Sequence, residues 1–258
     1  MPGNKSNDRR PGNDNDSLDE AAARCAALWS RPHSERTYSG STSTTGRQED
    51  DRGASKVEFR LLERATNNFD EDRHLLGHGG SCRVFEGKIG GYSVAIKAIN
   101  ESEDAKVAAW EDQQVKAEIE LLCRTCHPHI NRLLAVSFDG PFRCLVLEHM
   151  NGGALDDRLR DKSLPALQWH ERARILLHAA RGLAYMHTLN PPVIHRDVKC
   201  GNVLLHYPDG DTSLSVVAKV SDFGIARVNA EQDESVLRTS RRTHASTHQV
   251  CGTGELAS

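Results

Sequence analysis

The run His195-Arg196-Asp197-Val198-Lys199-Cys200-Gly201-Asn202 constrains this chain more than any other stretch. One apolar run, Pro192-Val193-Ile194, precedes it, and another, Val203-Leu204-Leu205, follows. The polar residues between them read as a loop held by two buried anchors. Asp197, Lys199 and Asn202 set a carboxylate, an ammonium and an amide at spacings of two and three. Phosphoryl transfer needs such a set: a carboxylate to orient the attacking hydroxyl, an ammonium to hold the moving phosphate, and an amide to bind a metal. Twenty-odd residues on, Ser221-Asp222-Phe223-Gly224 adds a second carboxylate.

Length and composition narrow the class around that loop. With 258 residues the chain holds one large domain or two small ones. A formal net charge of -3 gives no global reason to bind nucleic acid or an anionic membrane. No apolar run follows a basic start, so no secretory signal is read. No uninterrupted apolar run reaches the roughly 18 residues of a membrane span. Pro2 argues against N-myristoylation. Seven cysteines, an odd number, fit a reduced, soluble, cytoplasmic protein.

Residues 1–57 are rich in Asn, Asp, Ser, Gly, Arg and Thr, which cannot bury enough apolar area to offset chain entropy. They read as a disordered polar tail. One island, Leu18 to Trp29, has helical spacing and could dock on another surface, with a transient helix the favoured reading. From Glu58 an amphipathic stretch runs to Asn67-Asn68, with Leu61, Leu62 and Ala65 on one face. Leu75 to Phe85 puts a glycine turn between two apolar strand ends, a hairpin pattern. Glycines there let backbone N–H groups approach phosphates. Tyr92 to Ala98 alternates as a strand, setting Ala95 and Lys97 on one face and Val94 and Ile96 on the other. Asp104 to Cys126 is helical, with Glu118 and Leu122 sharing a face. Leu133–Phe138 and Phe142–Leu147 read as strands, and Gln168–His187 as a helix leading into the loop.

Cys123-Arg124-Thr125-Cys126-His127 also spells a c-type haem attachment pattern. Haem attachment needs an exported chain, and a structural zinc needs a second ligand pair. The two cysteines are therefore read as packing at a helix end.

Together, HRDVKCGN and SDFG resemble the catalytic loop and DFG segment of eukaryotic protein kinases. Glu63 to Asp70, ERATNNFD, resembles the lead-in of Pelle and plant receptor-like Ser/Thr kinases. Gly77, Gly79 and Val84 match the kinase glycine loop, with Cys82 in place of its third glycine. A thiol beside the phosphates, open to oxidation, is one consequence of Cys82; a tolerated small residue is the favoured one. The resemblance implies an α+β bilobal fold: a β-sheet lobe with one regulatory helix over residues 58–150, then a partial helical lobe over 151–258. It implies ATP and Mg²⁺ as cofactors, Ser/Thr hydroxyls of a protein substrate, and an upstream receptor or adaptor. By the same resemblance Gly77, Gly79 and Val84 cover the nucleotide, Ala95 lies over the base, and Lys97, braced by Glu118, holds the α- and β-phosphates. Leu147 is the gatekeeper, the backbone of Glu148 and Met150 meets adenine, and Leu204 completes the nucleotide set. Asp157 contacts ribose or peptide. Asn202 and Asp222 bind metal, Asp197 orients the hydroxyl, and Lys199 stabilises the transferred phosphate. His195 and Phe223 stack with Leu122 in the core. Arg196 meets a phosphorylated residue of the activation segment, where Ser235, Thr239, Ser240, Thr243, Ser246 and Thr247 offer hydroxyls. Thr243 to Thr253, THASTHQVCGT, resembles that segment's end, and Thr253 bonds the catalytic Asp and Lys.

After Thr253 the family continues through an A-P-E triplet into further helices, whereas this sequence reaches Ser258 without one. Leaving Ile175, Leu176 and Leu183 wet forfeits about 1.5–3 kcal/mol each. That sum is comparable to the roughly 5–15 kcal/mol of a whole domain, so this chain is expected to be unstable or inactive. A non-catalytic scaffold or decoy that binds nucleotide or signalling partners is the alternative, and a partial gene record of a longer kinase is a third.

Overall fold

The alternation of Tyr92–Ala98 becomes the central strand of a six-stranded sheet. The computed structural model describes residues 14–29, 54–79, 82–100, 105–208, 216–224 and 226–228. The sheet holds β1 (Ser55–Lys56), β2 (Leu75–His78), β3 (Cys82–Ile89), β4 (Tyr92–Ile99), β5 (Leu133–Ser137) and β6 (Arg143–Glu148) in the order β1-β5-β6-β4-β3-β2. Only β1 and β5 run parallel. Val94, Ile96 and Ala98 are fully buried on one face of β4. Lys97 points to the other face and pairs across the sheet with Val84 and Leu145.

The face of Val94 and Ile96 carries a core shared with helix α2 (Phe59–Ala65), whose Phe59, Leu61 and Leu62 are buried there. Complete burial of Leu62 and Phe85 is worth about 1.5–3 kcal/mol each. The Thr66 hydroxyl donates to the Leu62 carbonyl at 2.8 Å and ends the helix. The chain then passes through three left-handed residues, Asn67, Asn68 and Phe69, with φ of 50°, 61° and 56°. An aromatic side chain is costly there. Phe69 is held by ring contacts of 4.9–5.4 Å to Phe59, Phe85 and Phe142. A short helix α3 (Glu71–His74) follows, started by the Asp70 carboxylate, which accepts from the Asp72 N–H.

The island expected as a transient helix is a docked one. Helix α1 counts in chain order before α2 and spans Asp14–Trp29, with Ala22, Cys25 and Trp29 buried in the core of α2 and the sheet. Composition places this segment in the polar tail. Four residues at helical spacing, Leu18, Ala22, Cys25 and Trp29, suffice to bind it.

Helix α4 (Ala105–Arg124) contributes Val115, Leu121 and Leu122 to a second core containing Leu145, Met186, Val220 and Phe223. The second lobe holds α5 (Leu155–Arg160), α6 (Trp169–Thr188), β7 (Val193–Ile194), β8 (Val203–His206), β9 (Val217–Val220) and β10 (Arg227–Val228). The Glu171 carboxylate accepts from the Gln168 N–H at 2.6 Å, fixing the start of α6. Strands β8 and β9 pair antiparallel, and β7 pairs with β10.

One expectation about α6 is corrected. Ile175 is 2% exposed, packed with Leu167, Val203 and Leu205, and Leu183 is partly buried against the second core. Of the three residues expected wet, only Leu176 is, at 67%. The paired strands β8 and β9 cover Ile175, and the second core covers Leu183. The activation-segment hydroxyls, Thr253 and the THASTHQVCGT stretch lie outside the described residues.

Candidate active site

Three elements meet at Lys97. Its ammonium lies 2.9 Å and 3.1 Å from the two Glu118 oxygens, on α4, and 3.3 Å from Asp222 Oδ1, just after β9. Glu118 is buried and Asp222 half exposed. Burial disfavours charge on Lys97, but the Glu118 and Asp222 carboxylates outweigh it and hold its pKa above the ordinary lysine value. Lys97 is therefore a fixed cation bridging the sheet, the helix and the second lobe.

The loop of residues 195–202 folds back on itself. Lys199 Nζ lies 2.9 Å from Asp197 Oδ2. The Asn202 amide nitrogen donates to the Asp197 carbonyl and to Oδ2, each at 2.9 Å. Burial would raise the Asp197 pKa, yet the bonds from Lys199 and Asn202 bring it below the usual carboxylate range. The same bond to Asp197 raises Lys199.

His195, 1% exposed, ties the loop to the segment after β9 that carries Asp222. Its Nε2 lies 3.0 Å from the Ser221 carbonyl, and its Nδ1 accepts from the Asp197 N–H at 3.3 Å. These two contacts together put the ring proton on Nε2. Phe223 lies 5.2 Å away, and Leu122 is buried in the same core as Phe223. Ser221 N–H donates to the Asn202 carbonyl at 2.9 Å, so the two metal-ligand candidates, Asn202 and Asp222, belong to adjoining hydrogen-bonded segments. Arg196 is exposed in a left-handed conformation, φ 70°.

The remaining candidates line the sheet edge and the junction of the lobes. Gly77 pairs with Val84 between β2 and β3. Gly79 N–H donates to the Cys82 carbonyl at 2.7 Å. A Cβ on Gly79 would sit 3.3 Å from Cys82 Sγ, so the thiol is tucked beneath the loop, half-buried, not exposed. Burial raises its pKa despite nearby Lys97, which lowers the thiolate fraction. Ala95 pairs with Leu147, Glu148 ends β6, and Met150 is buried just beyond it. Leu204, partly buried on β8, bridges to Ala154. Asp157 is exposed on the first turn of α5. Cys123 is buried and accepts from the Ala54 N–H.

Lys219 was not foreseen. It is 7% exposed on β9, and its ammonium lies 2.7 Å and 2.6 Å from the two Glu148 oxygens. This pair ties the end of β6 to the strand delivering Asp222. Reading Val217–Val220 as a buried strand would have flagged its lysine as in need of an acid.

Comparison with known proteins agrees with this constellation. A family model described as the protein kinase domain matches residues 71–255. Arabidopsis thaliana has several similar proteins. "Receptor-like protein kinase HERK 1" is 35% identical over 187 residues, 72% of this chain and 21% of its own length. "Probable serine/threonine-protein kinase PBL28" is 37% identical over 189 residues, 72% of this chain and 48% of its own. "Probable serine/threonine-protein kinase PBL21" is 38% identical over 205 residues, 78% of this chain and 48% of its own. The chain thus spans from about a fifth to about half of the length of these relatives.

Proposed function

The chain belongs to the protein kinase family, and on that premise we propose that it carries the nucleotide and catalytic groups of a Ser/Thr protein kinase acting on protein hydroxyls. The observation that supports this best is Lys97 held between Glu118 and Asp222, beside a loop in which Lys199 and Asn202 converge on Asp197. The family uses ATP and a divalent metal, and we read the metal as Mg²⁺. The donor set fits such a hard cation. Both Asn202 amide N–H contacts go to Asp197, which leaves its amide oxygen for a metal. Lys97 takes Asp222 Oδ1, which leaves the other carboxylate oxygen. A carboxylate and an amide oxygen, completed by phosphate oxygens, suit Mg²⁺. When bound, the ion neutralises charge on the phosphates.

The chain's own groups do the rest. Lys97 holds the α- and β-phosphates, and Glu118 keeps it in place. Gly77, Gly79 and Val84 cover the phosphates. Ala95, Leu204 and the Glu148–Met150 backbone hold the base. Asp197, anionic at neutral pH because its pKa is lowered, accepts the hydrogen bond of the attacking hydroxyl and points its oxygen at the γ-phosphorus. Lys199 stays cationic and balances charge on the phosphoryl group in flight. Ser/Thr specificity, a cytoplasmic location and activation by an upstream receptor or adaptor complete this reading. The names of its relatives support the Ser/Thr specificity, and no helix among the described residues is long and apolar enough to cross a membrane.

Incubating the full chain with Mg·ATP labelled at the γ-phosphate and myelin basic protein tests the proposal. Label should reach serine and threonine. Lys97→Met and Asp197→Asn should each lose about 100-fold or more, as removal of a charge-stabilising group does. Nucleotide binding without any transfer would favour the scaffold reading instead.

A further inference from the structure

Helix α1 packs on the sheet face opposite Lys97, in the core of Val94 and Ile96. It supplies none of the groups assigned to ATP, yet its contacts lead to them. Its apolar stripe seats against Leu61 and Ile89 in that core. Asp19 pairs with Arg64 of α2 at 2.8 Å. The β3–β4 turn is shaped to receive it. Gly90 has φ +57°, and a Cβ there would lie 2.4 Å from the Ala22 carbonyl oxygen. Only glycine allows both the turn and the helix.

The last turn of α1 makes the telling contact. A terminal helix carbonyl has no partner within its own helix, and a cation there is favourable. Arg132 Nη2 donates to the Trp29 carbonyl at 3.3 Å. Arg132 in turn accepts, through its own carbonyl, the Glu148 N–H at 2.9 Å. Glu148 opens the segment whose backbone meets adenine. Two hydrogen bonds thus join the end of α1 to the base-binding strand, with Arg132 common to both.

We propose that α1 is a positioning element for the nucleotide site. Docked, it fixes Arg132 and through it the Glu148 backbone, and so raises affinity for ATP. The idea rests on the nucleotide-site reading above. Lifting α1 removes the restraint without touching any group that contacts nucleotide.

The full chain serves as the test, with Mg·ADP titrated by calorimetry and amide exchange followed in parallel. In the wild type, α1 should be protected. Ala22→Glu and Trp29→Ala should expose residues 14–29 to exchange, leave β4 protected, and weaken Mg·ADP by about fivefold or more, the low end of ordinary intersite coupling. Trp29→Phe keeps the carbonyl and most of the apolar area, and should retain wild-type affinity. Unchanged affinity in both undocked variants, or unprotected α1 in the wild type, overturns the proposal. A wild-type chain that takes up no Mg·ADP overturns the nucleotide-site reading and this proposal with it.

Discussion

Two strand lysines, Lys97 and Lys219, meet their acids in different settings. Lys97 is held by buried Glu118 and half-exposed Asp222, while Lys219 has both Glu148 oxygens. The two partners of the second pair are unequally buried, the side chains being 8% exposed for Lys219 and 32% for Glu148. Removing Glu148 strands an ammonium away from water. Removing Lys219 leaves a carboxylate that water can reach. Glu148→Ala should therefore cost more, about 2–3 kcal/mol, somewhat below a fully buried pair because of that partial exposure. Lys219→Met should cost about 1 kcal/mol or less, and urea melts of both variants would check the order. Lys97 and Glu118 were legible because the motifs around each fix their register. Lys219 was not, because a lysine between valines in a short strand also describes a solvated edge. Its acid lies 71 residues away.

At the scale of elements, the segment between α4 and β5 joins the lobes. The Val220 N–H donates to the His129 carbonyl at 2.9 Å, and the Asn131 N–H to the Val220 carbonyl at 2.8 Å. His129 stacks on His178 of α6 at 4.0 Å, and His127 stacks on Tyr185 at 4.9 Å. Ala218 of β9 serves both histidines of the first stack: its N–H donates to His178 Nδ1, and its carbonyl lies 3.2 Å from His129 Nδ1. Burial, then His129, Arg181 and Arg174, lower His178 to about 4. Burial also lowers His129, with Arg181 and Lys219 adding to it against the bond to Ala218. Between pH 6.5 and about 4 the unfolded chain binds protons that folded His178 refuses. Its contribution is present above pH 6.5 and lost as pH falls through that window. Melting temperature should drop from pH 7 to pH 5, and His178→Phe should flatten that drop. Gly182 sits at the same junction, where a Cβ would lie 2.5 Å from the His129 carbonyl oxygen. Gly182→Ala should destabilise by about 1–3 kcal/mol as the helix is pushed off the segment, read as a lower denaturant midpoint. None of this was visible in the sequence, because His129 and His178 meet only once α6 has packed.

For the whole molecule, the loop between its two apolar anchors could be foreseen because phosphoryl-transfer chemistry dictates residue types at fixed offsets. Packing is less predictable. Ile175, Leu176 and Leu183 of α6 were expected wet, but only Leu176 is, at 67%, and one helix position of rotation takes Ile175 into the β8–β9 core. The spacing of Leu18 to Trp29 announced helix α1, but docking was not the favoured reading because two of its four docking residues are an alanine and a cysteine, and because polar residues surround it. Its fit to Gly90 predicts that Gly90→Val undocks it, which limited proteolysis would detect as early cleavage within residues 14–29. The cysteines carry a practical corollary. Cys25 lies shut on the buried face of α1, whereas Cys200 stands open on the loop of residues 195–202. A maleimide pulse would tag Cys200 in every folded copy and Cys25 only in copies whose first helix has swung away. The ratio of the two adducts in a peptide mass spectrum would then time that swing directly.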